Sequence, residues 1–264
     1  MKTKIVKTVS EIFHNPRHAW YICISVLFVI LGSKSAKTRL FLRIYATERA
    51  FRKYEFAKFA KDNLYKGYSV DYQDLLVLFL FNNTSYEKTF LELGGCDGIY
   101  KSNCYLLEKN LWQGIVVEAN PVYYDSLTKN RNTVIKAAVT SQELSQVELL
   151  YIESIPSSGS IMPENFDKNL VVKKVLVQTI HIDNLNKIYL KFSPKGATYV
   201  SLDIEGGEEL LLEKIITNLG PKIISIEHNN NLAKLSKIKE VANLYSYHEI
   251  YKHLTRNESI FTKL

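Results

Sequence analysis

The sequence predicts an α/β protein: a mostly parallel sheet with helices on both faces, preceded by a helical N-terminal extension. Three observations carry this. From residue 89 onward, short apolar runs alternate with helical stretches, which is the pattern of βαβ units. Two of those runs end in acid- and glycine-rich turns, FLELGGCDG at 90–98 and YVSLDIEGGEE at 199–209. Charge also divides the chain. Residues 1–66 hold 14 of the 34 Lys and Arg but 4 of the 27 Asp and Glu, so they carry +10 while the remainder carries −3.

The extension is taken as residues 1–66 and the main domain as 67–264. Within the extension, Ala19 to Leu31 (AWYICISVLFVIL) is apolar, and the uncharged run to Ser33 is 15 residues. A spanning helix needs about 20 apolar residues, so a docked core helix or a membrane-surface segment is expected instead of a span. Residues 38–63 contain no Pro or Gly. They place Leu40, Ile44, Phe51, Tyr54 and Phe59 at helical spacing among Arg and Lys, which predicts a basic amphipathic helix ended near Gly67.

In the main domain, Gln73–Phe81 reads as an apolar helix. Strands are expected at Thr89–Leu93, Gly114–Glu118, Val134–Val139, Val147–Ile152, Tyr199–Ile204 and Lys222–Glu227, with a last one at Glu249–Tyr251 or Ser259–Thr262. Helices are expected at Ser102–Asn110, Val122–Asn130, Asp183–Lys191, Glu208–Asn218 and Leu232–Leu244. Residues 153–170, with Pro156, Gly159 and Pro163, read as a long loop. Three cysteines (Cys23, Cys96 and Cys104) form no CxxC pair, which argues against a disulfide framework or zinc knuckle and for a reducing, cytoplasmic setting.

The first glycine turn lies at a strand's carboxyl end, where open parallel sheets bind ligands. Leu93 stands two before Gly95, so the dinucleotide pattern G-x-G-x-x-G fails, and no GK[ST] follows to make a P-loop. What remains is acid-x-Gly-x-x-x-Gly, with Glu92, Gly94 and Gly98, a form seen in class I methyltransferases; Gly95 and Asp97 belong to the same loop. Glu118 ends the next run, GIVVEANP, 20 residues beyond Gly98, where a carboxylate can accept the ribose hydroxyls of a nucleoside. Alone, it could equally be a charge at a helix N-terminus.

In the second turn, Asp203, Glu205, Glu208 and Glu209 crowd one strand end. Glu209 and part of Glu208 are explained by the dipole of the following helix. Asp203 and Glu205 are not, and either could take a proton from a substrate hydroxyl. His228, in IEHNNN after the next strand, is a further candidate base. Asp203, Glu227 and His228 could alternatively hold a divalent ion, but no ligand spacing here is diagnostic, and no metal is assigned.

Taken together, YSVDYQDLLVLFLF, FLELGGCDGIYKSNCYLLEKN, GIVVEANP, VQTIHIDNL and YVSLDIEGGEE resemble the FkbM-type methyltransferases, which use S-adenosylmethionine (SAM). The resemblance runs from about Tyr68 to the C-terminus, and its most specific piece is D-x-E-G-x-E after the fourth strand of the family. It implies a class I, Rossmann-like fold with a mostly parallel seven-stranded sheet. It implies that Glu92, Gly94 and Gly98 wrap the methionine part of SAM and that Glu118, with Ala119 and Asn120 beside it, meets the ribose. Ser102 and Asn103 would touch the cofactor, and Ala137 and Ala138 fall where the adenine usually rests. Asp203, Glu205 and Glu208 would line the methyl-transfer site. Compared with the commoner D-x-G-A-N-x-G loop, this chain has Glu92 for Asp, Gly95 for Ala and Cys96 for Asn.

The expected activity is O-methylation of a hydroxyl, on a glycan, glycolipid or related natural product, with residues 1–66 contacting the inner membrane face. Two rival readings stand beside it. A nucleic-acid methyltransferase would use the basic helix at 38–63, and a non-catalytic binding module would keep the fold alone. No recognition motif for nucleic acid supports the first.

Overall fold

The computed structural model describes residues 52–63, 66–162, 172–252 and 254–264. The apolar run Ala19–Leu31 and the first part of the basic helix lie outside the described residues. Its last part forms α1 (Lys53–Asn63), which sends Phe56 into the main core. The Phe56 ring lies 5.4 Å from that of Phe79 and 5.3 Å from that of Tyr251. Next comes α2 (Gln73–Phe81), apolar all round and buried accordingly.

The central sheet has seven strands: β1 (Thr89–Leu93), β2 (Gln113–Glu118), β3 (Val134–Lys136), β8 (Tyr199–Leu202), β9 (Ile223–Glu227), β10 (His248–Ile250) and β11 (Glu258–Thr262). Their order is β10-β11-β9-β8-β1-β2-β3. The neighbours from β3 through β9 are parallel, and β11 runs antiparallel to both β9 and β10. The sheet is therefore mixed, a mostly parallel array with one reversed strand, and both alternatives for the last strand exist, paired with each other. The α/β architecture is consistent with a methyltransferase-like fold.

The buried strands are apolar along nearly their whole length because both faces are covered. Successive side chains feed opposite cores. Phe90, Val116 and Tyr199 pack with α1, α2 and α3 (Tyr105–Lys109) on one face. Leu91, Ile115, Val117 and Val200 pack with α5 (Ile182–Phe192), α6 (Glu208–Leu219) and α7 (Leu232–Leu244) on the other. A 3₁₀ turn (Pro121–Tyr123) and α4 (Tyr124–Asn130) link β2 to β3.

A second sheet, order β4-β7-β5-β6, corrects the sequence reading in three places. The run Val134–Val139 is two strands. At Ala137 the amide bonds the Glu118 carbonyl (2.9 Å), and the chain then leaves the main sheet as β4 (Ala138–Thr140). Residues expected to be loop form β6 (Ile155–Ser160), an antiparallel partner of β5 (Gln146–Ile152). Its IPSSGS sequence has no apolar alternation, and Pro156 is tolerated because β6 lies at the sheet edge. The remainder of that expected loop, residues 163–170, lies outside the described residues. Finally, β7 (Lys173–His181) has no counterpart among the expected strands; it turns Val177 inward and leaves Leu176, between Val175 and Val177, exposed. Among the described residues, no helix is long and apolar enough to cross a membrane.

Candidate active site

Strand order reverses between β1 and β8, and ligands of open α/β sheets bind at the carboxyl ends flanking such a point. Here those ends meet directly: the Asp203 amide bonds the Leu93 carbonyl (3.0 Å), and the Gly94 amide bonds the Val117 carbonyl (2.9 Å). Gly94 has φ +90°, and a Cβ on it would stand 1.7 Å from the Asp203 carbonyl oxygen, so only glycine lets the loop pass the second strand. Gly98 (φ +87°) ends the loop against Arg131.

An open cavity of about 550 Å³ lies over these strand ends. Of the residues read from sequence, Gly94, Glu118, Ala119, Ala137, Ala138, Asp203 and Glu205 line it. Glu118 is buried, and its two oxygens accept the amides of Cys96 (2.7 Å) and Asn120 (2.7 Å). Burial raises its pKa, and these backbone donors pull against that rise. Two acceptors used this way leave lone pairs free for hydroxyl donors.

The other expected cofactor residues stand behind the wall. Glu92 is buried, and its Oε1 accepts from Ser102 Oγ (2.8 Å) and the amides of Asn103 (2.8 Å) and Cys104 (3.2 Å), while Arg131 Nη1 meets its Oε2 at 2.7 Å. A carboxylate engaged this way organises the loop from beneath. Ser102 is used in that network, and Asn103 donates to Ser201 Oγ (2.9 Å). Asp97 closes its own turn by accepting the amides of Ile99 (2.8 Å) and Tyr100 (2.7 Å). The Gly95 amide bonds the Val117 carbonyl (3.2 Å), and a Cβ on it would strike Val116.

Asn120 has a task the sequence did not reveal. Its Oδ1 caps the 3₁₀ turn through the Val122 amide (3.1 Å), and its Nδ2 donates to the Pro156 carbonyl (2.9 Å). At the other end of β6, Ser160 Oγ donates to the Glu205 carbonyl (2.7 Å). The strand is thus tied to the segment after β2 and to the turn after β8. It contributes Pro156, Ser157 and Gly159 to the cavity wall. Tyr123 and Cys96 also line the cavity; burial, then nearby negative charge, push the Tyr123 phenol up to about 12. Sequence spacing gave no signal for the β6 contribution, because it comes from the second sheet.

Below the cavity the carboxylates gather. Asp203, Glu205 and Glu227 can bring one oxygen each within 4.8 Å of one another, close enough for a single divalent ion to bridge them. Asn229 Nδ2 donates to Glu227 (2.8 Å) and lies 3.4 Å from Glu205. Burial, then the charges of Glu227, Glu258, Glu205 and Glu208, hold the Asp203 carboxyl well above its ordinary range. Burial raises Glu205 as well, and pushes Glu227 up to about 8 and Glu258 up to about 7.

Two expected catalytic residues stand outside this group. Glu208 heads α6, fully buried, with Oε1 accepting the amides of Ile204 (3.2 Å) and Gly206 (3.1 Å) and Oε2 paired to Lys234 at 2.5 Å. It fixes the turn that carries Glu205. His228 does not line the cavity; its Nδ1 accepts the Asn230 amide (3.1 Å), and burial lowers its pKa.

The raised carboxyls set the pH dependence of stability. Unfolded carboxyls titrate near about 4. The folded protein therefore retains protons between about pH 5 and 8 that the unfolded chain has lost, and stability falls as pH rises through that window. Thermal melts of the ligand-free protein should show Tm declining from pH 5 to pH 8, with a shallower decline in Glu227→Gln. A rising Tm, or an unchanged slope in the variant, would contradict these assignments.

No match to the chain is found among curated proteins. Residues 92–258 match the model of the methyltransferase FkbM domain, a span from the Glu92 carboxylate to Glu258 that takes in the whole cavity floor. That match extends over more than half of the chain, and the protein belongs to the FkbM methyltransferase family and is a methyltransferase.

Proposed function

We propose that the protein is a SAM-dependent O-methyltransferase acting on a hydroxyl of a glycan or glycolipid. The observation that carries this is one cavity holding both Glu118, at the end of β2, and the protonatable carboxyls Asp203 and Glu205, after β8. The mixed seven-stranded sheet with its single reversed strand supports the class I reading.

The residues present fit the cofactor. Glu118 keeps lone pairs for ribose hydroxyls, the Ala137–Ala138 side of the cavity offers an apolar wall for the base, and Gly94 lets the loop pass close by the Asp203 backbone at the cavity's edge. When bound, SAM supplies a methyl group on a positively charged sulfur. The protein's part is alignment of the acceptor oxygen and removal of its proton. Asp203 or Glu205, once ionised, would take the proton of the acceptor hydroxyl. Because burial and like charge hold Asp203 protonated, turnover should rise with pH above the usual carboxyl range. A kcat that is flat from pH 5 to 9 would remove the carboxylate base.

Residues 1–66, with their charge of +10, would bring the domain to an anionic inner membrane face. Methyl-labelled SAM incubated with the protein and oligosaccharide, glycolipid or RNA pools tests the acceptor class. Label appearing as a methyl ether in the saccharide pools, and lost with Asp203→Asn, is the expected result. Label in RNA alone would overturn the acceptor assignment.

A further inference from the structure

Arg131 follows α4, and its side chain is buried, yet it does not line the cavity. Its guanidinium reaches everything that shapes the glycine loop from behind. Nη1 donates to Glu92 Oε2 (2.7 Å), the Gly98 carbonyl (3.2 Å) and Ser102 Oγ (3.1 Å), while Nε pairs with Glu108 on α3. The group also lies 5.4 Å from the Phe90 ring centroid and 5.8 Å from that of Tyr105. One planar fork thus joins the strand before the loop, the last residue of the loop and the helix after it. Nη2 has no hydrogen-bond partner among the described residues, a cost that a merely space-filling residue would not carry.

We propose that Arg131 is a positioning residue for cofactor binding, an ionic bracket that sets the loop's conformation from the side away from the ligand. The route is short. Arg131 holds Gly98 and Glu92, the loop between them presents the Cys96 amide, and that amide orients the Glu118 carboxylate on the cavity wall. Lysine keeps the charge but has one donor centre, so it cannot span Glu92, Gly98 and Glu108 together. The inference rests on the SAM reading for its functional consequence, and on geometry alone for the bracket.

The test uses the full chain with Arg131→Lys and the double variant Glu92→Gln/Arg131→Met, which leaves no unpaired charge at Glu92. Two quantities are read well below the melting temperature: the affinity for S-adenosylhomocysteine, and hydrogen exchange of the Cys96–Tyr100 amides in ligand-free protein. Expected are a loss of affinity of about tenfold or more in both variants, and faster exchange confined to the loop and the start of α3. Unchanged affinity in a folded Arg131→Lys variant would overturn the proposal, as would full recovery in the double variant, which would make Arg131 a counter-charge only. If wild-type protein bound no S-adenosylhomocysteine, the cofactor reading would fail, and the exchange measurement would still decide whether the bracket holds the loop.

Discussion

Gly94→Ala is expected to abolish cofactor binding and to cost the protein on the order of 10 °C in Tm. The added Cβ would lie 1.7 Å from the Asp203 carbonyl oxygen, about half of a tolerable contact, and the backbone there has φ +90°. Positive φ alone costs a non-glycine residue about 1–3 kcal/mol. The collision is with backbone and not with a flexible side-chain end, so relief requires β1 and β8 to separate at their carboxyl ends. Those ends are the floor of the cavity, and stability and binding should therefore fall together. Differential scanning fluorimetry beside a S-adenosylhomocysteine titration checks both. A variant that melts within about 2 °C of wild type and still binds would show that the loop passes β8 differently.

Asp203→Asn should separate the same two properties. The change is isosteric, and the backbone contacts of residue 203 with Leu93 and Gly94 survive it. It removes a carboxyl that burial and the neighbouring carboxylates hold well above its ordinary range. Loss of a general base costs about 10²- to 10⁴-fold in rate, so kcat should fall by at least about 10² while S-adenosylhomocysteine affinity changes by less than about threefold. Equal losses in kcat and affinity would assign Asp203 to binding instead.

Much of this site was legible in sequence because its signals are local. FLELGGCDG announces a loop that must pass close to backbone, and GIVVEANP places an acid one strand over. What spacing could not tell is which way each carboxylate points. Glu92 and Glu118 look alike at their strand ends, but Glu92 is consumed by Ser102, Asn103, Cys104 and Arg131, and Glu118 faces the cavity. Arg131 was invisible for the same reason: it lies 39 residues from Glu92, and only the fold brings them together. The wall built by β6 was missed because IPSSGS carries a turn-like composition, and its strand conformation is imposed by pairing with β5. The apolar helix Gln73–Phe81 and the mixed helix Leu232–Leu244 both coincided with their expected bounds.

The central claim is that the cavity between Glu118 and Asp203 holds an adenosyl cofactor by its ribose. Calorimetric titration of the full chain with S-adenosylhomocysteine, beside Glu118→Ala and with NAD as control, tests it most directly. Glu118→Ala removes the proposed ribose acceptor and leaves the Cys96 and Asn120 amides without their partner, a loss of about 1–3 kcal/mol for each group left unsatisfied. Saturable binding by wild type, weakened at least about tenfold in the variant and silent with NAD, is the predicted result. Equal binding by wild type and the folded variant, or binding of NAD in place of the adenosyl ligand, would contradict it.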